Sequence, residues 1–134
     1  PIFFCGSKVT DIQIINSKEL SDCESFTLAS PLFVKRRLEN GKVEHALYSD
    51  SDFDYLLVTS LKNKLEKAGL DSSSLAIEVD RECPKNNTKL IEHKGVFNRV
   101  NFCPVKIIGT REQIHFAWCV GLGHSTGIGF GALK

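Results

Sequence analysis

Five of the eleven residues in the run Gly121-Leu122-Gly123-His124-Ser125-Thr126-Gly127-Ile128-Gly129-Phe130-Gly131 are glycine. No helix interior or ordinary strand carries that density, because an ordered glycine costs more backbone entropy than any other residue. Such a segment offers positive φ, close approach of a second backbone or another molecule, and a row of N–H groups able to cradle an anion such as phosphate. A dinucleotide fingerprint needs Gly-x-Gly-x-x-Gly between a strand and a helix. Here Thr126 stands where the third glycine belongs, and the run follows a predicted helix. A Walker loop ends in Gly-Lys-Ser/Thr, and the chain has no such ending. What remains is a doublet, Gly121-Leu122-Gly123, a gap from His124 to Ile128, and a second doublet, Gly129-Phe130-Gly131.

The surroundings of this run are an alternation of short strands and two capped helices. Val9 to Ile15 reads as a strand, and residues 16–27 as a polar linker. Residues 32–37 read as a strand opened by Pro31. Asn40-Gly41 is a hairpin turn, and Val43 to Tyr48 is the return strand. Phe53, Leu56, Leu57, Leu61, Leu65 and Ala68 recur at helical spacing, predicting a helix over 52–68. Its start resembles a capping box, Ser51 with Asp54, and Gly69 ends it. Leu75, Ile77 and Val79 predict a strand. Residues 81–94 predict a protruding hairpin or loop, and Val96 to Ile108 a strand interrupted by Pro104. Thr110 with Gln113 is a capping box that starts a second helix running to about Val120, with Trp118 on its core side. Phe130 to Leu133 is the last strand. From residue 28 onward the order is the β-α-β-β-α-β of an α+β, ferredoxin-like fold, with the glycine run between the second helix and the last strand.

A chain of 134 residues, 42% apolar and 25% charged, has the size and composition of one globular domain, or one domain with a remnant of another. No apolar run is long enough to span a bilayer, and no basic leader opens the chain. Cys5, Cys23, Cys83, Cys103 and Cys119 are odd in number and form no Cys-x-x-Cys pair, which argues against both a disulfide framework and a zinc site. Buried thiols in a reducing cytoplasm are the expectation. The net charge of +1 conceals an asymmetry. Residues 1–80 hold 9 Lys/Arg against 13 Asp/Glu, and residues 81–134 hold 8 against 3. The glycine-rich half is the basic half, which fits a polyanion partner and equally a folded domain whose charges mix on its surface.

The paired doublets resemble the carboxyl-terminal domain of the CRISPR-associated repeat-processing endoribonucleases of the RAMP superfamily. That family places Gly–apolar–Gly, five residues and a second doublet before its last strand. Ser30-Pro31-Leu32-Phe33-Val34-Lys35 resembles the family's Ser-Pro-apolar-apolar-Val-basic strand, and Pro104-Val105-Lys106-Ile107-Ile108-Gly109 its Pro-Val-x-Ile-x-Gly strand end. The resemblance covers residues 28–134. It implies that 28–134 is a ferredoxin-like RNA-binding domain and that 1–27 is the last strand and linker of a preceding ferredoxin-like domain. It implies a metal-independent cut within the repeats of precursor CRISPR RNA. The 2′-hydroxyl attacks the adjacent phosphorus, and the catalytic residue lies in the preceding domain. No cofactor and no metal are expected. CRISPR repeat RNA is the expected partner; other CRISPR-associated proteins and a second copy of the chain are further candidates, and a membrane is not. Two other readings stay open: a non-catalytic RNA-binding subunit of a CRISPR effector complex, and a small phosphate- or nucleotide-binding enzyme.

In the loop, Gly121, Gly123, Gly129 and Gly131 are expected to set the shape, while the amides between them and the Ser125 and Thr126 hydroxyls meet phosphate. Lys35, Arg36 and Arg37 are expected to supply charge on the first strand, and Arg81, Lys85, Lys89, Lys94 and Arg99 along the central hairpin. The family's gap usually holds Lys or Arg. Here His124 is the one residue in it able to carry charge, and the one candidate for a catalytic group within the chain. His45, His93 and His115 lack metal-ligand spacing and read as surface or core residues.

Overall fold

The computed structural model describes residues 2–4, 7–9 and 23–134. β1 (Ile2–Phe4) and β2 (Ser7–Val9) pair antiparallel with each other. There follow β3 (Cys23–Phe26), β4 (Lys35–Arg37), β5 (Val43–His45), α1 (Phe53–Lys67), β6 (Ala76–Val79), β7 (Asn87–His93), β8 (Val96–Phe102), β9 (Val105–Ile108) and α2 (Arg111–Val120). A short 3-10 turn, Thr126–Ile128, lies inside the glycine run. Of the strand expected over Val9 to Ile15, Val9 closes β2 and the remainder lies outside the described residues.

The main sheet is antiparallel, with β9 between β3 and β6. Hydrogen-bond parity fixes its fourth member. The Asp80 amide donates to the Pro104 carbonyl, so even-numbered residues of β9 point at β6 and odd ones at β3. Glu24 and Phe26 therefore face β9, and Thr27 and Ala29 face the other edge. There they meet the chain end: Thr27 and Lys134 exchange backbone hydrogen bonds, the Ala29 amide donates to Ala132, and Leu28 bridges Leu133. The order chain end–β3–β9–β6, with α1 and α2 packed on one face, is the ferredoxin-like arrangement. Its first strand is not the one expected. Cys23–Phe26, read from sequence as part of a linker, opens the unit, and the 32–48 strand pair is an insertion between that strand and α1. β3 buries only Phe26 of its four residues, so no apolar alternation marked it.

The core explains the helices. α1 buries Phe53, Leu57, Leu61 and Leu65 at four-residue spacing against Ile77 and Val79 of β6, Val105 and Ile107 of β9, and Ile114 and Ala117 of α2. Gly69, at φ +75°, ends it as expected. Its start differs from expectation. The N-cap is Asp52, which makes no side-chain cap because its carboxylate is held by Arg36. The α2 capping box forms as read: the Thr110 hydroxyl accepts from the Gln113 amide, and the Gln113 side chain accepts from the Thr110 amide. Gln113 Nε2 donates to the Asp71 and Ser73 carbonyls and ties the loop after α1 to α2.

The strand expected over Val96 to Ile108 divides at Cys103-Pro104. β9 joins the main sheet, while β8 pairs with β7 as a seven-residue hairpin. The segment before β4 runs beside β8 through a two-way Leu32–Asn101 bridge. This second layer has an inner face, with Leu32 and Asn101 wholly buried, and an outer face built from Phe33, Val100 and Phe130.

Candidate functional site

Strand parity decides which groups reach the outer face. Phe33, Lys35 and Arg37 alternate to one side; Arg36 points to the other. Lys35 and Arg37 are exposed. The Arg36 guanidinium is bidentate to Asp52, at 2.6 and 2.8 Å, and also meets Asp50 at 2.9 Å and Glu44 at 3.2 Å. It anchors β4 to the start of α1, so an RNA-facing role does not fit it. Arg81 is likewise engaged, with Asp54 and the Asp50 carbonyl. Lys94, at φ +51° in the β7–β8 turn, lies about 24 Å along the hairpin from Asn87 at the 3.4 Å rise of a strand. Arg99 alternates to the opposite face from Val100. Lys89 pairs with Val100 and shares its face, so the fold brings Lys35, Arg37 and Lys89 to the outer face, engages Arg36 and Arg81 with carboxylates, turns Arg99 away, and leaves Lys94 at the far turn and Lys85 in the exposed segment before β7.

The Arg36 cluster carries a stability prediction. The Leu47 amide and Arg36 hold Asp50 below the usual carboxylate range, and hydrogen bonding to Arg36 does the same for Asp52. A depressed folded-state pKa gives stability that is present above about pH 4 and is lost as pH falls through the folded value. The side chains of Arg36, Asp50 and Asp52 are 20%, 33% and 43% exposed, so solvent screening reduces the 3–5 kcal/mol of a fully buried pair. Arg36→Gln is expected to cost about 2 kcal/mol at pH 7. The gap to the parent should narrow below pH 4, as read by urea midpoints across pH.

The glycine run is stitched onto the Ser30–Lys35 segment. The Gly131 amide donates to Pro31 O at 2.8 Å, the His124 amide to Phe33 O at 2.7 Å, and the Lys35 amide to His124 Nδ1 at 3.1 Å. The Ser30 hydroxyl accepts from the Ala132 amide at 2.9 Å. These bonds give the Ser30-Pro31 motif and the paired doublets one physical purpose. Gly123 and Gly131 both have positive φ and are where backbones touch. A Cβ on Gly123 would sit 2.6 Å from Phe33 O, and one on Gly131 would collide with Leu122 O. The loop is thus less of an open amide nest than its composition implied. The amides of Leu122, His124, Ile128, Gly129 and Gly131 already bond protein carbonyls, and among the described residues those of Ser125, Thr126 and Gly127 do not.

The charge at the loop comes from beneath it. Lys64 Nζ donates to Gly123 O at 3.0 Å and lies 3.4 Å from Thr126 Oγ1, and Ser60 Oγ also donates to Gly123 O. Burial lowers the Lys64 pKa. His124 does not supply charge. Burial first, then Lys35 and Lys64, lowers its pKa, and the Lys35 amide occupies Nδ1, leaving Nε2 as the protonated nitrogen of the neutral ring.

His45, read from sequence as a surface or core residue, belongs to this site. It lies opposite Lys35 in the β4–β5 register, packs edge-on to Phe33 with ring centroids 4.9 Å apart, and takes the Arg99 amide on Nδ1 at 3.0 Å. Burial, then Lys35, lowers its pKa. Lys35 Nζ lies 5.4 Å from the centroid of the Phe33 ring, which also packs on Phe130 of the second doublet. The Asn40-Gly41 turn contained the signal for His45, because it fixes the register that sets Lys35 opposite it. Lys64 had no such signal: on helical spacing it is an ordinary last-turn cation. Trp118 packs on Phe26 in the core, as expected.

The structure resembles three solved proteins closely. One, from Pyrococcus furiosus, is described as the product of a Cas6-related gene, with TM-score 0.77, 25% identity and coverage of 94% of this chain and 53% of that one. A second, described as a RAMP protein binding different RNA substrates, gives TM-score 0.76 and 27% identity over 92% of this chain and 52% of that one. A third, a CRISPR-associated protein Cas6, gives TM-score 0.72 and 23% identity over 91% and 51%. The chain therefore spans about half the length of each. No curated protein matches it significantly. A family model described as CRISPR associated protein Cas6, C-terminal, matches residues 15–134, nearly the whole chain, and by that match the chain belongs to the Cas6 family.

Proposed function

We propose that this chain is the RNA-binding carboxyl-terminal part of a CRISPR repeat-processing endoribonuclease. The observation that carries the reading is the outer face. There the exposed Lys35, Arg37 and Lys89 surround the buried floor of Phe33, Val100 and Phe130, and the glycine run lies over that floor with the unbonded amides of Ser125, Thr126 and Gly127. Exposed cations beside free backbone amides are the recurring equipment for holding the phosphates of a nucleic acid. The relative described as binding RNA substrates has the same fold over this length.

Within this reading the RNA's own 2′-hydroxyl oxygen attacks the adjacent phosphorus and the bond to the 5′-oxygen breaks. A base takes the 2′-proton and an acid gives one to the leaving oxygen, so no metal is required. That base belongs to a preceding ferredoxin-like domain. In this chain His124 acts as an Nε2–H donor, which suits contact with phosphate rather than proton abstraction. The chain's task is to hold the repeat in register.

The test is repeat RNA in excess EDTA, with and without the preceding domain. Tight binding by this chain, and cleavage to a cyclic phosphate only by the longer protein, is the expected result. Binding without cleavage by the longer protein would make it a non-catalytic RNA-binding subunit. Affinity should fall with salt at a log–log slope of about −0.7 per neutralised phosphate. Replacing both Lys35 and Arg37 by alanine should flatten that slope by about 1.4. A flat response in the parent protein would refute the reading.

A further inference from the structure

The gap between the two doublets, His124 to Ile128, contains no Lys or Arg. A cation nevertheless reaches it from α1. Ser60 and Lys64 stand one helical turn apart on the same side of that helix, and both donate to Gly123 O at 3.0 Å. Lys64 Nζ also lies 3.4 Å from Thr126 Oγ1, so one ammonium touches both the first doublet and the gap. Thr126 is held from two directions. Its hydroxyl meets Lys64, and its methyl lies 3.2 Å from the place a Cβ on Gly121 would take.

This charge has no carboxylate to answer it. Among the described residues Lys64 and Lys35 are in no ion pair, whereas Arg36 and Arg81 are each held by aspartates. Lys64 is half-buried, and the partners of its ammonium are neutral oxygens. Burial of a cation without an opposite charge costs stability, and a site that keeps one is a candidate for binding an anion. Both ammoniums act on one ring: after burial, Lys35 and then Lys64 lower the pKa of His124. The gap, whose Ser125, Thr126 and Gly127 amides bond no carbonyl among the described residues, is thus served by two unanswered cations on separate elements. An ammonium has three N–H donors and a hydroxyl has one. With Gly123 O and Thr126 Oγ1 as acceptors, Lys64 keeps an N–H free, and Thr126 has its own proton left to donate.

We propose that Lys64 is the phosphate-binding cation of the glycine loop. It neutralises one phosphodiester of the bound RNA, directly through its remaining N–H and through the Thr126 hydroxyl that it polarises. This contact is separate from those of Lys35 and Arg37, which come from β4. The assignment rests on the RNA-binding reading above, and the experiment separates the two.

Fluorescence anisotropy of labelled repeat RNA against this chain, across a salt series, gives the comparison. Lys64→Gln keeps a donor near Gly123 O and removes the charge. It is expected to weaken binding about tenfold at low salt and to flatten the log–log slope by about 0.7, the share of one phosphate. Lys64→Arg restores the charge and should restore the slope. Lys62→Gln, two residues earlier and on the opposite side of α1, should leave the slope as in the parent. Thr126→Val keeps the shape and removes the hydroxyl, so about threefold weaker binding at an unchanged slope is expected. Thermal melts check that each variant is folded. If Lys64→Gln is not, Thr126→Val carries the test, and binding equal to the parent's overturns the assignment. A folded Lys64→Gln with the parent's slope would show that the ammonium only props the loop, and would overturn the assignment while RNA binding stands. If repeat RNA does not bind the parent, the RNA-binding reading falls and the role of Lys64 with it.

Discussion

Replacing Gly131 by alanine is expected to destabilise the protein by about 4 kcal/mol, a large share of the roughly 5–15 kcal/mol that holds a domain of this size. Two effects add. Gly131 has φ +76°, where an L-residue is disfavoured by about 1–2 kcal/mol. Its new Cβ would also collide with Leu122 O, so the two doublets would have to separate. Separation would weaken the Leu122–Gly131 hydrogen bond of 2.9 Å and the Gly131–Pro31 bond of 2.8 Å. Differential scanning calorimetry should show Tm lower by roughly 12 °C or more. Gly127→Ala is the control. A Cβ there meets nothing within 4 Å and the residue is not among those with positive φ, so stability should change by less than about 0.5 kcal/mol. Equal effects from the two substitutions would mean that composition, rather than contact between the doublets, is what the loop requires.

Asn101→Ala should cost about 3 kcal/mol. Asn101 is wholly buried and joins three segments that are far apart in sequence. Its Oδ1 accepts from the Tyr48 amide at 2.9 Å, and its Nδ2 donates to Ala46 O at 3.1 Å and Leu32 O at 3.4 Å. Truncation would leave the Tyr48 amide and the Ala46 carbonyl without partners, at about 1–3 kcal/mol for each orphaned group. Asn98→Ala is the comparison. Its side chain reaches only carbonyls of its own hairpin, Ile91 O and Val96 O, at 3.4 and 3.3 Å, so its loss should cost less than about 1 kcal/mol. Urea unfolding of the two variants gives the ranking directly. A reversed order would show that the second layer is not held to the core through Asn101.

Local signals carried much of the fold. α1 follows from apolar residues at four-residue spacing, α2 from its Thr110–Gln113 box, and the β4–β5 hairpin from Asn40-Gly41, where Gly41 takes φ +82°. Each depends on residues within one or two turns of chain, which is the range over which periodicity and turn chemistry act. The first strand escaped because its evidence is not local. Cys23–Phe26 alternates weakly and is a strand because Val105–Ile108 and the chain end lie beside it. The same holds for the division of β8 from β9. Pro104 marked an interruption, and only pairing shows that the two pieces belong to different sheets.

The site divides along the same line. That a glycine run must allow positive φ and close contact, and that a basic strand precedes it, follows from the residues alone. Folding added that the contact is with Ser30–Lys35. It decided that Arg36 turns inward to Asp50 and Asp52 while Lys35 and Arg37 stay outside. Only packing showed that Lys64, which no motif marked, sits beneath the loop, and that His45, marked only through the Asn40-Gly41 register, sits beside its strand. The physical reason is that glycine density and charge are properties of the residues themselves. Which atom fills the space a missing Cβ leaves, or which carboxylate meets a guanidinium, depends on segments brought together from opposite ends of the chain.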